Sequence, residues 1–140
     1  MVLAIGSWFN EPGIEFRVSF KVRKLIRQIM VEDIMMPFGL EERDPYTFMR
    51  LVISTSIGTS KLEVRGPEYD KRNKTINYGL WLPYKKINES SSYLNEYLNN
   101  LFDALVILFK KYDVPEDPVR SVQKKVEKEV LNNAEYEYNE

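Results

Sequence analysis

The sequence predicts an α+β domain: an antiparallel sheet of about five strands, one helix in the first half, and two C-terminal helices packed on the sheet. Three observations carry that expectation. Short runs with apolar residues at every second position fall between residues 2 and 84. A helical period of three and four interrupts them once, after Arg23. From Ser90 onward the period is helical, with a break at Pro115. Strands early and helices late is the order of an α+β domain, and its sheet is expected to be antiparallel.

In order, residues 2–9 are apolar and short, a strand, and residues 10–13 (NEPG) are turn chemistry. Residues 15–22 alternate, with Phe16, Val18, Phe20 and Val22 against Arg17, Ser19 and Lys21, which predicts a half-buried strand and a hairpin with the first. From Arg23 the period turns helical, with Leu25, Ile26, Ile29, Met30 and Ile34 on one side, until Pro37 and Gly39 end it. Residues 41–45 (EERDP) read as a charged loop. Residues 46–57 are rich in β-branched side chains and predict a strand. Residues 58–60 turn it into residues 61–65, where Leu62 and Val64 alternate with charge. Residues 66–74 (GPEYDKRNK) read as a polar loop. Residues 75–84 alternate again, Ile76, Tyr78, Leu80 and Leu82 facing one way and Asn77, Gly79 and Trp81 the other. Gly79 is a candidate bulge and Pro83 a strand end.

Residues 90–112 form the helix around which the rest must be arranged. Their apolar residues come in pairs, Tyr93/Leu94, Tyr97/Leu98, Leu101/Phe102, Ala104/Leu105 and Leu108/Phe109, while Asn95, Glu96, Asn99, Asn100 and Asp103 take the other side. Val106 and Ile107 widen the apolar face, so the last two turns are expected to be covered nearly all round. Ser90 or Asn88 caps the start, Lys110 and Lys111 suit the negative end, and Pro115 prevents continuation. The apolar run AVILF falls far short of the roughly 20 residues a membrane span needs. Asp117 as N-cap and Pro118 at the first position predict a last helix over residues 118–136, with Val119, Val122, Val126, Val130 and Ala134 as its stripe and a polar tail beyond.

The 140 residues are enough for one domain with a real core, and 44% apolar and 29% charged residues are ordinary globular values. The formal net charge of −1 favours no partner class. Its distribution is uneven: residues 71–88 hold five basic and no acidic side chains, residues 89–140 six basic and eleven acidic. With no cysteine there is no disulfide, thiolate nucleophile or Cys-ligated metal. With no histidine there is no Ser-His-Asp or Cys-His pair and no imidazole ligand or proton shuttle. No P-loop or G-x-G-x-x-G is present.

Carboxylates remain as acid–base groups near neutral pH. They cluster at Glu41, Glu42 and Asp44, at Glu68 and Asp70, and at Glu116 and Asp117. Paired carboxylates can do glycosidic chemistry or hold Mg²⁺ or Ca²⁺, but none of these clusters has the spacing of a calcium loop. Solvated loops and partner contacts are the other readings. Lys71, Arg72, Lys74, Lys85 and Lys86 bracket a strand carrying Tyr78, Trp81 and Tyr84, as in single-strand nucleic-acid binding, against which the net acidity of the chain weighs. Ser54, Ser56 or Ser60 with Lys61 leaves a serine–lysine pair chemically open. No catalytic, cofactor-binding or metal-binding residue is assigned.

The layout of the second half is GLWLPYKKI, then SSSYLNEYLNNLFDALVILFKKYDVP, then DPVRSVQKKVEKEV. In a chain without cysteine or histidine it resembles the immunity proteins of bacterial polymorphic-toxin and contact-dependent growth inhibition systems. The resemblance covers about half the chain and is a pattern of patches. It implies a fold-and-block function: a protein partner, the cognate toxin domain, whose active site is covered without cofactor or chemistry of the inhibitor's own. The start MVLAIGSWFNEPG lacks the form of a secretory signal, so a cytoplasmic location is expected and no membrane partner. Contact residues vary in that family and none is carried over. For a toxin that attacks nucleic acid the resemblance implies a basic cleft, which a carboxylate edge would meet; Glu41, Glu42 and Asp44 with Glu68 and Asp70 are the expected contact, with Tyr46 or Tyr69 as aromatic anchors. The alternatives are a nucleic-acid-associated protein and a carboxylate-dependent enzyme.

Overall fold

A mixed sheet of four strands carries three helices on one of its faces. The computed structural model describes residues 2–9, 17–18, 20–40, 45–56, 61–83, 93–132 and 138–139. In chain order the elements begin with β1 (Val2–Phe9), β2 (Arg17–Val18) and α1 (Phe20–Met30, continued by a π-helical turn, Val31–Met35). They go on with β3 (Phe48–Ser56), β4 (Glu63–Asp70), β5 (Thr75–Pro83), α2 (Tyr93–Lys110), α3 (Glu116–Asn132) and β6 (Tyr138–Asn139). The sheet order is β1-β3-β5-β4, and β2 pairs with β6 apart from it. No described helix is long and apolar enough to cross a membrane.

The α+β class and the helix count match the sequence reading; the antiparallel sheet does not. β1 runs parallel to β3 and β3 parallel to β5, and β4 alone is antiparallel to its neighbour, β5. Neither of the two expected hairpins forms, since β1 pairs with β3, β2 with β6, and β4 with β5. A turn signal marks where the chain bends without choosing the strand it pairs with. Between β1 and β3 the chain passes through α1, the kind of crossover that parallel neighbours require. After β3 it reaches the far edge as β4 and returns as β5 between the two. Residues 10–13 and 58–60, the expected turns, lie outside the described residues.

Two further boundaries move. The expected strand over residues 15–22 shrinks to Arg17–Val18, and Phe20 already opens α1. Every second position includes every fourth, so Val18/Val22 and Phe16/Phe20 satisfy both periods, and docking of Ile26, Ile29 and Met30 in the core decides for the helix. At its end the Met36 N–H reaches back five residues to the Val31 carbonyl at 2.9 Å. That wider turn brings both Ile34 and Met35 into the core, where a regular helix would turn Met35 away. Residues 66–70, expected as loop, belong to β4, an edge strand that tolerates outward polar groups.

Register aligns the inner face in rows: Leu3–Met49–Ile76, Ile5–Leu51–Tyr78 and Ile53–Leu80–Val64. Over these rows α1 lies on β1, α2 on β5 and β4, and α3 on α2 and α1. From Leu98 onward the expected core of α2 is buried, at Leu98, Leu101, Phe102, Ala104, Leu105, Leu108 and Phe109; the side chains of Tyr93, Leu94 and Tyr97 lie outside the description. Its last turns are not covered all round, since Ile107 is 45% exposed, and Asn100, expected on the wet side, is buried. The helix ends before Pro115. Asp113 takes a left-handed conformation (φ 62°), its N–H bonds Lys110 O at 3.2 Å, and the Val114 N–H bonds Phe109 O at 3.1 Å. Both apolar members of this cap, Phe109 and Val114, are buried, as the motif favours.

α3 begins at Glu116, so Asp117 sits in the first turn rather than at the N-cap, where it still meets the positive helix end. The described helix stops at Asn132, and the tail contributes β6, where fraying was expected. Arg120 joins α3 to α2, donating to Asp103 at 2.7 Å, to Glu116 at 3.2 Å and to Gln123 at 2.8 Å. Gln123 in turn donates to Asn99 at 3.0 Å. Lys125 ties α3 to the π turn through Asp33 at 2.8 Å. Tyr78 and Tyr112 share a buried hydroxyl–hydroxyl hydrogen bond of 2.8 Å, joining β5 to the end of α2.

Candidate functional site: the outer sheet face and its β4 edge

Strand alternation divides each strand between the two faces, and no described helix packs on the outer one. Its rows, read from β3 through β5 to β4, are Phe48–Thr75–Asp70, Arg50–Asn77–Glu68, Val52–Gly79–Arg65 and Ser54–Trp81–Glu63. Arg50, Arg65, Glu63 and Glu68 are exposed, and Phe48 is 43% exposed despite its apolar ring. Ser54 and Thr75 are buried members of these rows.

The centre of the face is a stack. A Cβ on Gly79 would come within 3.2 Å of the Trp81 indole nitrogen, so the missing side chain is what lets the ring fold back over the strand. The Arg65 guanidinium lies 3.9 Å from the ring centroid, close enough for a cation–π attraction. Its Nε and Nη2 donate to one Glu63 oxygen at 3.0 and 2.9 Å. Beside the stack a shallow trough of about 260 Å³ is lined by Val52, Arg65, Glu68, Asn77 and Trp81 among others.

Between Arg65 and Glu68 the register slips, a bulge built on Gly66 and a cis Pro67. Gly66 has φ 113°, and a Cβ there would lie 2.7 Å from Asn77 O, so glycine alone fits. The bulge expected at Gly79 thus falls one strand away, opposite it. A bulge, a proline and alternating charges are the features that keep an edge strand from pairing indiscriminately.

Of the seven residues read as a contact face, Glu41, Glu42 and Asp44 lie outside the described residues. The other four do not form one patch. Tyr69 aligns with the inner-facing Ile76, Glu68 with the outer-facing Asn77, so neighbours in sequence stand on opposite sides of the sheet. Tyr46 and Tyr69 do meet: their centroids are 5.1 Å apart at 45°, with Tyr46 half-buried against the core and Tyr69 58% exposed. Asp70 serves the β4–β5 turn, accepting from the Asn73 side-chain amide at 2.7 Å and from its backbone N–H at 3.1 Å. Those bonds, with help from the more distant Arg50 charge, hold its carboxyl below the usual range.

The other candidates also separate. Lys71, Arg72 and Lys74 are exposed in the β4–β5 turn, at one end of β5, whereas Lys85 and Lys86 follow its other end and lie outside the described residues. Ser54 is buried while Lys61 is exposed. Glu116 belongs to a helix and pairs with Arg120 at 3.2 Å. Among the described residues no group of three or more acidic side chains converges as a metal site would require. Arg50 and Arg65 escaped the sequence reading because their face depends on register. For Trp81 and Asn77 the signal was their parity, opposite to Tyr78 and Leu80. Compared with protein families, curated proteins and solved structures, the chain finds no match.

Proposed function

We propose that this protein is a toxin-neutralising immunity protein, which binds a cognate bacterial toxin domain in the cytoplasm and covers its active site. The observation that supports this best is Tyr69, a large ring left 58% exposed on a bulged edge strand and steadied by Tyr46. Tyrosine is a preferred interface anchor, and one already held by the fold loses little freedom on binding. In sequence, Glu41, Glu42 and Asp44 precede Tyr46 by two to five residues. They would add negative charge against the basic cleft of a toxin that attacks nucleic acid, which speeds association and sets register.

The test uses the neighbouring reading frame. Expressed alone it should arrest growth, and with this chain it should not. Tyr69→Ala should leave the fold intact and weaken binding at least thirtyfold, a loss of about 2 kcal/mol. The triple change Glu41→Lys, Glu42→Lys and Asp44→Lys should slow association. A harmless neighbour removes the reading, and a folded Tyr69→Ala that protects fully moves the contact elsewhere.

One observation favours a second reading. Lys71, Arg72 and Lys74 stand exposed together in a tight turn, as a phosphate-binding tip would. A nucleic-acid-associated protein would retain oligonucleotides at low salt and release them steeply as salt rises.

A further inference from the structure

The outer row Arg50–Asn77–Glu68 ends in opposite charges, and each end is exposed. Neither takes part in the ion pairs or side-chain hydrogen bonds of the described residues; Arg50 exerts only a longer-range attraction on Asp70. Strands lie about 4.8 Å apart, so the two charges stand about 9.6 Å from each other at the backbone, one on each side of Asn77. We propose that a second copy of this chain docks on this face, through a two-fold contact whose axis lies in the face along β5.

Charge selects that axis. A half-turn about β5 exchanges the β3 and β4 sides of the face. It lays Arg50 of each copy over Glu68 of the other and brings the two Asn77 amides together at the axis. In the next row it sets Arg65 of one copy over Val52 of the other, beside the trough that Gly79 leaves open. A half-turn about an axis across the strands would instead stack Arg50 on Arg50 and Glu68 on Glu68. A two-fold interface must be self-complementary in this sense, with residue i meeting j and j meeting i. Two sheet faces pack about 10 Å apart with strands within about 30° of each other, which the first axis satisfies. With the axis on β5, each β1 falls beyond the opposite β4 edge, so three strands of about 26 Å length overlap over a footprint of roughly 370 Å² a side. That is short of the roughly 800 Å² per partner of a standard interface, so the dimer is weak and concentration-dependent. The proposal needs no toxin and stands apart from the Tyr69 contact.

Sedimentation velocity of the full chain, from micromolar to several hundred micromolar at low salt, reads it out. The wild type should pass from monomer to dimer within that range. Arg50→Glu and Glu68→Arg should each weaken the dimer at least tenfold, since each sets like charges together. The double variant, Arg50→Glu with Glu68→Arg, should restore it to within about threefold of wild type. Circular dichroism on the same samples shows that all three fold, as exposed positions allow. A wild type that stays monomeric at every concentration overturns the proposal and leaves the face to a different partner. Single variants that dimerise like wild type, or a double variant that does not recover, overturn it as well.

Discussion

On its inner side β5 presents Ile76, Tyr78, Leu80 and Leu82, all buried beneath the helical layer; on its outer side the same strand presents Asn77, Gly79 and Trp81, half-buried between the buried Thr75 and Pro83 at its ends. The inner side is held by apolar contact with α2 and by the buried link from Tyr78 to Tyr112. The outer side is a set of small specific arrangements: a ring over a glycine, a guanidinium over the ring, a carboxylate pinning the guanidinium. Folding free energy therefore concentrates on one face, and most of the exposed charge of the strands is left to the other. Substitutions can break that division in either direction.

The largest effects are expected on the inner side. Leu101 and Leu105 are fully buried on α2, and truncating either to Ala should cost about 2–5 kcal/mol in denaturant unfolding, from lost transfer energy and the cavity left behind. Arg65→Ala and Glu68→Ala, on the outer side, should each stay within about 0.5 kcal/mol of wild type. If an outer variant cost as much as an inner one, the outer face would be part of the core. Gly66→Ala is the exception on the outer side. It should cost about 2 kcal/mol, because a side chain there meets Asn77 O at 2.7 Å in a conformation that L-residues avoid.

The division also explains what the sequence revealed. Periodicity records burial, so Leu98 to Phe109 and Ile76 to Leu82 could be assigned to the core from spacing alone. It does not record partners. β1 and β3 are parallel because α1 lies between them, and nothing in residues 10–13 distinguishes that crossover from a hairpin. Periodicity also fails where hydrogen-bond geometry changes, as at the π turn that brings Met35 inward. The Tyr46–Tyr69 pair is legible as one aromatic opening a strand and one in a loop, but their contact requires β4 to continue through Gly66 and Pro67. The Arg50–Glu68 row was out of reach, because it exists only across two strand registers.

A smaller effect sharpens the comparison at the end of the inner layer. Asp113 holds the left-handed cap position that glycine normally takes. Asp113→Gly should raise stability by about 1 kcal/mol by relieving the Cβ contact, provided the Phe109–Val114 closure persists. A lower melting temperature would show that the Asp113 side chain contributes more than its backbone costs.

The smallest effect belongs to Asp70, at the outer tip of the sheet. Hydrogen bonds from the side chain and then the backbone of Asn73 hold its carboxyl below the usual carboxylate range. A depressed carboxylate favours the folded state above its unfolded pKa, and that contribution is lost as pH falls through the folded pKa. The window is therefore acidic, below about pH 4. At pH 7 wild type should be slightly more stable than Asp70→Ala, and the gap should close as the pH is lowered through that window. Added salt should shrink the part due to Arg50, since exposed charges are screened, while the Asn73 bonds persist. A gap unchanged down to pH 2 would mean that Asp70 steadies the turn by shape alone. Its place would then be with the packed residues of the inner face.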